Sequence, residues 1–566
     1  MARLLAGQPA IAALAVFVPL TIVWTWPLLL HLQTAVLGQI GDNVYFIWLI
    51  RWVQESLARG QLSVTVPTLN YPEGWSLAYT EMTPTMVLTA LPFSWVAGPT
   101  FAYNAAVMLS FPLSGWAAFA WARRHTAGLI APLIAGVIFG FSPLRFSHAL
   151  AGHLNLLGTA WIPWFFLGLS DVLGLRRWSW GPILRTAAFF ILIAWTSQYL
   201  LYMTSILAIV YVIGYLLCVD ASPVRSRVFW GRLISAGLLS VPLVLVSLLP
   251  YVALARQGSL PERPLGYVRT YSASITDFFL PSTTHFAWGR WVGEHFNRDL
   301  WIEATLYLGA AALILSIAAY LWRKINLAGP RQTSLLVLFA AAAIVLAMGT
   351  DVHWLSRPVE VRVPGLGGDS FPLVLPGYFL FRFLPFYSAM RVAMRYGVFA
   401  LLAVSVLAAI GADTILGRVG RAVRPWAGML ILSLVVIDFL PRPQPLAAVS
   451  PRPVDLWLAD HPGAGAVVQL PISQSQDQEQ IYYTLFHHRP FVGGFFNAFP
   501  PPQYVRITPA LETFPSPSSV ETLKDLNVEY AIVDGEEYPE LLQGGTPLGL
   551  EFEIALEGQL VYRVVP

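Results

Sequence analysis

One acidic residue of this sequence opens a segment that is otherwise aromatic and apolar. Asp42 is followed by the residues NVYFIW, a pattern that predicts an amphipathic helix at a membrane surface with Asp42 near its N-cap. A carboxylate can transfer protons or bind a cation. Asp is also a good N-cap, and capping by itself would explain Asp42. The same stretch continues to a second acidic residue, Glu81, which is a further candidate contact for a substrate or a metal ion.

Two histidines follow the third predicted span, in the sequences RFSHAL and GHLN. Together with Asp42, His148 and His153 would supply ligands for a divalent metal ion, because imidazole and carboxylate suit several such ions. A spacing of five residues is not a recognised ligand signature. The alternative is that both histidines are polar anchors at the membrane interface.

Two arginines, Arg391 and Arg395, stand where the tenth predicted span meets the outer leaflet. Their separation of four residues predicts that they share one helical face. A guanidinium group matches phosphate in a bidentate geometry, which makes this pair a candidate phosphate site. The alternative is ordinary snorkelling of both side chains to lipid headgroups.

The elements that must position these residues are membrane-spanning helices. The chain is 56% hydrophobic and only 11% charged, whereas soluble chains carry about 25% charged residues. The net charge of +3 argues against a nucleic-acid partner. The single cysteine, Cys218, excludes a disulfide framework. We therefore expect an α-helical polytopic membrane protein in contact with membrane lipids.

Run length predicts about eleven spans. They cover residues 10–33, 100–121, 127–142, 155–174, 181–197, 200–218, 232–253, 301–322, 332–350, 395–416 and 425–441. Short basic connections fall on one side if the N-terminus is cytoplasmic, as the positive-inside rule requires. The apolar segment Pro84–Gly98 is too short for a span and predicts an interfacial or re-entrant helix.

The predicted organisation is a transmembrane domain, residues 1–441, followed by a small extracytoplasmic α/β domain, residues 442–566. Long outer segments at 34–99, 255–300 and 351–394 are rich in Trp, Tyr, Pro and Gly, and we expect them to be structured. In the C-terminal domain the pattern predicts strands at Ala466–Leu470 and Tyr530–Val533, a helix at Gln476–His488 and a terminal hairpin.

The order of these features resembles that of the polyprenyl-phosphate-dependent membrane glycosyltransferases of the GT-C superfamily. One span is followed by a long outer segment that opens with Asp42 and contains a short interfacial helix. A span closed by Arg123-Arg124 and another closed by Ser142-Pro143 come next. The resemblance covers roughly residues 10–220. The later spans resemble YfhO-like bacterial membrane proteins, through the motifs WIE at 301–303, YLG at 307–309 and LPF at 384–386.

The resemblance implies a glycosyltransferase that moves a sugar from a polyprenyl-phosphate donor to an acceptor outside the cytoplasmic (inner) membrane. It makes Asp42 the catalytic base or a metal ligand, and a divalent metal ion is the one cofactor it allows. The chain departs from many relatives in having Asp-Asn where they have Asp-Glu. The acceptor, whether glycan, lipid or protein, stays open.

Two other classes remain as alternatives. The first is a non-catalytic accessory protein of cell-envelope glycosylation, which would keep the same architecture. The second is a transporter, which should place ionisable residues in mid-span. The centres of the predicted spans contain almost no charged residues, which favours a functional site at the outer membrane interface over a transport pathway.

Overall fold

The computed structural model of the protein divides into two compact units. It describes residues 8–256, 263–296, 300–362, 370–461, 463–473, 477–494, 500–542 and 547–565. The first unit contains Met1–Leu30, Ala106–Ser247 and Glu262–Pro445. The second contains His31–Ala105, Leu248–Pro261 and Leu446–Pro566, so the first predicted outer segment and the C-terminal segment belong to one unit.

Long apolar helices dominate the first unit. Seven helical stretches among the described residues are long and apolar enough to cross a membrane: Pro99–Ala122, Ile130–Leu150, Leu154–Gly174, Gln198–Cys218, Arg227–Arg256, Gly329–Ala347 and Ala393–Arg418. Three of them join consecutive elements: Ile130–Gly140 with Pro143–Leu150, Leu154–Leu157 with Trp161–Gly174, and the 3₁₀ turn Ala393–Tyr396 with Gly397–Arg418. Only 11% of the most apolar stretch of Arg227–Arg256 is buried inside the protein. Exposure of such an apolar surface to water is energetically unfavourable, whereas contact with lipid chains is not. The chain is therefore a multi-pass membrane protein.

Shorter apolar helices occupy the other predicted spans. They are Gln8–Trp24, Trp180–Ala194, Ala310–Leu321 and Arg424–Phe439, and the predicted interfacial segment forms the helix Pro84–Ala97. The number of spans, eleven, stays a prediction. The prediction that residues 301–322 form one continuous helix is wrong. A four-residue helix, Trp301–Ala304, is separated from Ala310–Leu321, and Gly309 between them has a φ of 91°, which favours glycine.

Shorter elements connect these helices in the first unit. The remaining α-helices are Leu265–Thr270, Gly289–His295 and Pro376–Phe383, and 3₁₀ turns cover Leu28–Leu30, Ser222–Arg225, Ile275–Phe278, Tyr387–Ala389 and Ala393–Tyr396. Two small hairpins pair His353–Trp354 with Arg357–Pro358 and Glu360–Arg362 with Ser370–Pro372. The outer segments of this unit are thus structured where the chain is described.

Glycine allows the helices of the first unit to approach one another closely. A Cβ atom added to Gly140 would lie 2.8 Å from the Cα of Gly115, and one added to Gly136 would meet the Phe17 ring at 2.2 Å. Small residues at such crossings are the usual way in which membrane helices pack. The backbone of the helix Ile130–Gly140 is therefore fixed firmly against its neighbours.

The second unit contains a four-stranded sheet with helices on both faces. In order across the sheet, its strands are Leu550–Leu556, Gln559–Val564, Val528–Asp534 and Ala466–Leu470. The last two are parallel and the other neighbours are antiparallel. Side chains alternate between two apolar clusters, one with Val468, Ala531 and Val533 and one with Val467 and Ile532.

Helices complete the second unit. Pro502–Leu511 and Pro517–Asp525 pack on one face of the sheet, and Pro453–Asp460 packs on the other. The unit also contains the helices Asp42–Ala58, Asp477–His487 and Pro539–Leu542 and the 3₁₀ turn Leu77–Tyr79. The predicted strands and hairpin are confirmed. The predicted helix at Gln476–His488 is found as Asp477–His487, and its first residue lies outside the described part of the chain.

The second unit also contains two short ladders, one between distant segments and one between neighbouring segments of the chain. Ala35–Leu37 pairs antiparallel with Leu446–Ala448, and Thr65–Val66 pairs with Trp75–Ser76. The first ladder connects the first predicted outer segment directly to the chain that follows the last predicted span. The predicted domain division at residue 441 stays a prediction.

Candidate functional site

A break in one membrane helix positions the first group of polar side chains. The helix Ile130–Gly140 ends, and a new helix begins at Pro143 and runs to Leu150. Ser142 caps the second helix, because its side chain accepts a hydrogen bond from the backbone of Arg145. Proline favours the first helical position, so the Ser-Pro sequence explains the break.

Arg145 is buried at this break and bonded to the backbone around it. Its guanidinium donates to the carbonyls of Gly140 at 3.1 Å, Leu157 at 3.0 Å and Ser110 at 2.9 Å. It also donates to the Ser110 and Thr159 hydroxyls. No carboxylate pairs with Arg145 within the described residues. Its partners are those of a structural residue that holds three chain segments together.

His148, His153 and Glu303 form a compact cluster of metal-binding groups. One ligand atom from each lies within 4.8 Å of the others. The Nδ1 atoms of the two histidines are 2.9 Å apart, and Nε2 of His148 is 3.8 Å from Oε2 of Glu303. Two imidazoles and one carboxylate are a common ligand set for Zn²⁺ and related ions. The donor atoms present therefore fit a divalent metal ion.

The short helix Trp301–Ala304 brings Glu303 to the histidines. The Ser147 hydroxyl donates to the Ile302 carbonyl at 2.9 Å and joins this helix to the one that carries His148. Sequence analysis missed Glu303, because the residue was included in a predicted span. The signal that could have identified it is an acidic residue in the shared motif WIE, at the start of an apolar run.

Glu303 also forms a buried ion pair with Arg395. Its Oε1 accepts from Nη2 of Arg395 at 2.6 Å and from Nε at 3.1 Å, and both side chains are less than a tenth exposed. Burial raises the pKa of Glu303, but the charge of Arg395 outweighs it and, with further interactions, brings the pKa to about 2. Glu303 is therefore an anion at any ordinary pH.

Arg391 has different surroundings from Arg395. The expectation that the two share one helical face is wrong, because Val392 between them is extended and the 3₁₀ turn begins only at Ala393. Both arginines nevertheless contact the same tyrosine, Tyr199. The Arg395 guanidinium lies 4.7 Å from the centre of the Tyr199 ring, and the backbone N–H of Arg391 donates to the Tyr199 hydroxyl at 3.4 Å.

Aromatic rings surround the Arg391 guanidinium. Nη1 donates to the Tyr267 hydroxyl at 3.3 Å, and the group lies 4.9 Å from the Tyr271 ring centre. Arg263 lies on the same tyrosine, 5.4 Å from the Tyr267 ring centre. Where the chain is described, Arg391 makes no ion pair and its buried Nε has no hydrogen-bond partner.

The lowered pKa of Tyr267 indicates a positive electrostatic potential around its hydroxyl group. Burial raises the pKa of Tyr267, but the hydrogen bond and the charge of Arg391, together with Arg263, bring it below its ordinary value. Among the described residues, the charged groups that contact Tyr199 or Tyr267 are Arg263, Arg391 and Arg395, and Glu303 pairs with Arg395. Such an excess of positive charge suits a bound anion.

A small cavity lies beside these groups. It has a volume of about 20 Å³ and is lined by Arg145, His148, Thr159, Arg395 and apolar side chains. A cavity of this size holds about one water molecule. Of the predicted site residues, His148, His153 and Arg395 thus lie in one cluster, and Arg391 joins it through Tyr199.

Asp42 and Glu81 belong to the second unit. Asp42 is the first residue of its helix, next to the N-cap, which is Gly41, so the prediction that Asp42 lies near the N-cap is confirmed. The side chain of Asn43 instead accepts a hydrogen bond from Gly41 and donates one to Gln39. Burial, then Tyr251, then Asp42 raise the pKa of Tyr45 well above its ordinary value.

Comparison with known proteins identifies a family and a fold. A family model described as "Domain of unknown function (DUF6311)" matches residues 13–367. No curated protein matches the sequence.

Two solved membrane proteins share the fold. The oligosaccharyltransferase of Archaeoglobus fulgidus in its apo form is 12% identical with a TM-score of 0.50, and the match covers 98% of this chain and 75% of that one. ArnT from Cupriavidus metallidurans bound to undecaprenyl phosphate is 13% identical with a TM-score of 0.50, and 97% of each chain is covered. The resemblance to the GT-C fold is thereby confirmed, and the relation to YfhO-like proteins stays a prediction.

Proposed function

The chain belongs to the DUF6311 family, whose description assigns no function, and we propose that it is a membrane glycosyltransferase with a polyprenyl-phosphate donor. The observation that carries the proposal is the group of three arginines around Tyr199 and Tyr267, with Glu303 as the carboxylate that pairs with one of them. Arg391, which makes no ion pair among the described residues, is the natural contact for a phosphate.

The fold supports the same substrate class. ArnT from Cupriavidus metallidurans, which has this fold, was solved with undecaprenyl phosphate bound. The oligosaccharyltransferase of Archaeoglobus fulgidus, also of this fold, is a sugar transferase by name. We carry the lipid-phosphate donor over to this chain because its first unit offers the arginines that such a donor needs.

The proposed reaction requires two tasks, removal of a proton from the acceptor and stabilisation of the departing phosphate. An acceptor hydroxyl oxygen forms a bond to the anomeric carbon of the sugar, and the bond from that carbon to the lipid-phosphate oxygen breaks. Asp42 takes the proton of the hydroxyl, and Arg391 with Arg395 holds the charge left on the phosphate. Glu81 is a candidate contact of the acceptor. The acceptor itself is a glycan, a lipid or a protein of the cell envelope.

A divalent metal ion is part of the proposal. His148, His153 and Glu303 would hold it, and as a Lewis acid it would stabilise negative charge on an oxygen nearby. Glu303 is ionised and the two imidazoles are close together, so no rearrangement of the backbone is needed to bring these ligands around an ion. Asp42 is therefore kept as the base rather than as a third ligand.

We also propose an orientation in the cytoplasmic membrane, with the N-terminus cytoplasmic and both Asp42 and the C-terminal segment outside. An accessory protein without activity is the second candidate, because the architecture alone would serve it equally. A transporter is disfavoured, because Arg145, which is buried beside the break between two apolar helices, is fully engaged by backbone and hydroxyl groups.

The test of the donor site is binding of undecaprenyl phosphate to purified protein in detergent. Arg391→Lys keeps the charge and loses the planar fork, so we expect at least about fivefold weaker binding. Arg382→Lys is the matched control, because Arg382 lies exposed on the nearby helix Pro376–Phe383 and should bind as the wild type does. Equal affinities in all three proteins would refute the phosphate site.

A further inference from the structure

We infer that Glu303 couples the metal cluster to the phosphate site, so that a metal ion and the lipid phosphate each strengthen binding of the other. The inference rests on the proposed function and goes beyond it, because it assigns Glu303 a positioning role toward Arg395. The same carboxylate belongs to both groups of residues: it is the third member of the histidine cluster and the ion-pair partner of Arg395.

The two oxygens of Glu303 have different neighbours. Oε1 accepts the two shortest hydrogen bonds from Arg395, at 2.6 and 3.1 Å. Oε2 is the atom that faces His148, with its Nε2 at 3.8 Å, and it has only a 3.3 Å contact to Nε of Arg395. A metal ion held by the two histidines would therefore take Oε2, the oxygen that Arg395 uses less.

Without a metal ion, Glu303 competes with any phosphate for Arg395. A bidentate pair between a buried carboxylate and a guanidinium has charge-assisted hydrogen bonds, which an incoming anion must replace. The Arg395 guanidinium is also packed over the Tyr199 ring, close to the backbone of Arg391. In this state Arg391 is available to an anion and Arg395 is not.

A bound metal ion changes that balance. It places two positive charges beside a carboxylate that otherwise neutralises Arg395, so the ion pair weakens and the guanidinium is left with excess positive charge. An anion at Arg391 and Arg395 relieves that excess. Conversely, a phosphate that draws Arg395 away leaves both oxygens of Glu303 to the metal ion. The two ligands therefore favour each other without direct contact.

The first test uses the unaltered protein in detergent and isothermal titration. Zn²⁺ alone and farnesyl phosphate alone are titrated first, and each titration is then repeated in the presence of the other ligand. We expect each ligand to tighten binding of the other by about tenfold. The two factors must be equal, because thermodynamic coupling is reciprocal. Zn²⁺ that leaves farnesyl phosphate binding unchanged, or weakens it, overturns the inference.

The second test separates the ion pair from simple attraction between the metal ion and the phosphate. Glu303→Gln removes the charge that holds Arg395, so metal-free protein should bind farnesyl phosphate severalfold more tightly than the wild type. The same variant should lose at least tenfold in Zn²⁺ affinity and lose the coupling. An unchanged or weakened metal-free affinity for farnesyl phosphate would contradict the competition that we infer.

A matched control is available in the outer segment 255–300, shortly before Glu303 in the chain. Glu294 forms an exposed ion pair with Arg290 four residues before it, so Glu294→Gln makes the same chemical change at a place that should affect neither ligand. If Glu303→Gln does not fold, the size and sign of the coupling measured in the wild type still decide whether the two ligands favour each other. If farnesyl phosphate fails to bind the wild type at all, the proposed function falls as well. Binding that persists without coupling refutes this inference only.

Discussion

The position of Asp42 at the beginning of a helix bears on the role proposed for it. It is the first residue of Asp42–Ala58 and lies at the partial positive charge of the helix N-terminus. The neighbouring Asn43 forms the hydrogen bonds that fix the helix start. Capping therefore does not explain the charge of Asp42, which agrees with the role in proton transfer that we propose.

Asp42→Asn should separate chemistry from folding. The substitution keeps the size and removes the charge, so we expect transferase activity to fall by about 100-fold or more. The loss of helix-dipole stabilisation should cost less than about 1 kcal/mol. The measurements are sugar transfer from a polyprenyl-phosphate donor and the unfolding temperature in detergent.

A control for this prediction lies on the same helix. Glu55 pairs with Arg51 and Arg59 on a solvent-accessible face, so Glu55→Gln should change neither activity nor stability appreciably. Full activity in a well-expressed Asp42→Asn variant would show that Asp42 is not the catalytic base.

At the scale of single residues, the sequence identified some members of the site and missed others. His148 and His153 could be predicted because two histidines close together after an apolar run are conspicuous. Glu303 could not be placed with them, because it is about 150 residues away and nothing local shows which helix it faces. Arg263 was missed for the same reason, since its link to Arg391 passes through Tyr267.

Among the elements, the break between Ile130–Gly140 and Pro143–Leu150 determines where His148 lies. Arg145 stabilises the break by donating to the carbonyl of Gly140, which lies at the end of the first helix, and to that of Leu157. A buried arginine satisfied by so many backbone groups behaves as part of the fold, although its side chain also lines the small cavity.

Arg145→Met should destabilise the protein. Methionine keeps the length and the apolar stem, but it removes the buried hydrogen bonds to three carbonyls and two hydroxyls, for which we expect a loss of about 3 kcal/mol. The unfolding temperature in detergent should fall by several degrees. Arg176→Met is the control, because Arg176 is largely exposed and only pairs with Asp220. Equal unfolding temperatures for the two variants would mean that Arg145 does not stabilise the break.

Helices were predictable from the sequence where apolar composition alone determines them. The apolar runs indicated the long helices, but run length cannot detect a break inside an apolar segment. That is why residues 301–322 were predicted as one helix, although a change of backbone direction at Gly309 interrupts them. The strands of the second unit were recognisable because each is bounded by turn residues.

On the scale of the whole molecule, the second unit is built from three separate stretches of the chain. His31–Ala105 and Leu446–Pro566 both contribute to it. Sequence composition predicted segments outside the spans but not that they assemble into one unit, because pairing between distant strands leaves little local signal.

The orientation can be tested with cysteine accessibility in intact cells. With Cys218 replaced by Ser, single cysteines at Gln61 and Ser518, both exposed positions of the second unit, should react with a membrane-impermeant maleimide. Lys324→Cys, in a basic connection predicted to be cytoplasmic, should react only after permeabilisation. Labelling of Lys324→Cys in intact cells, or protection of either of the other two, would reverse the proposed orientation.

The short ladder between Ala35–Leu37 and Leu446–Ala448 restricts the number of times that the chain can cross the membrane between these two strands. Two strands that exchange hydrogen bonds lie on one side of a membrane, so the chain must cross an even number of times between them. Within the described residues, all seven long apolar helices fall in that interval, and seven is odd. An odd number of shorter helices must cross as well if all seven do. Three were predicted as spans, Trp180–Ala194, Ala310–Leu321 and Arg424–Phe439, and with them the crossings become even.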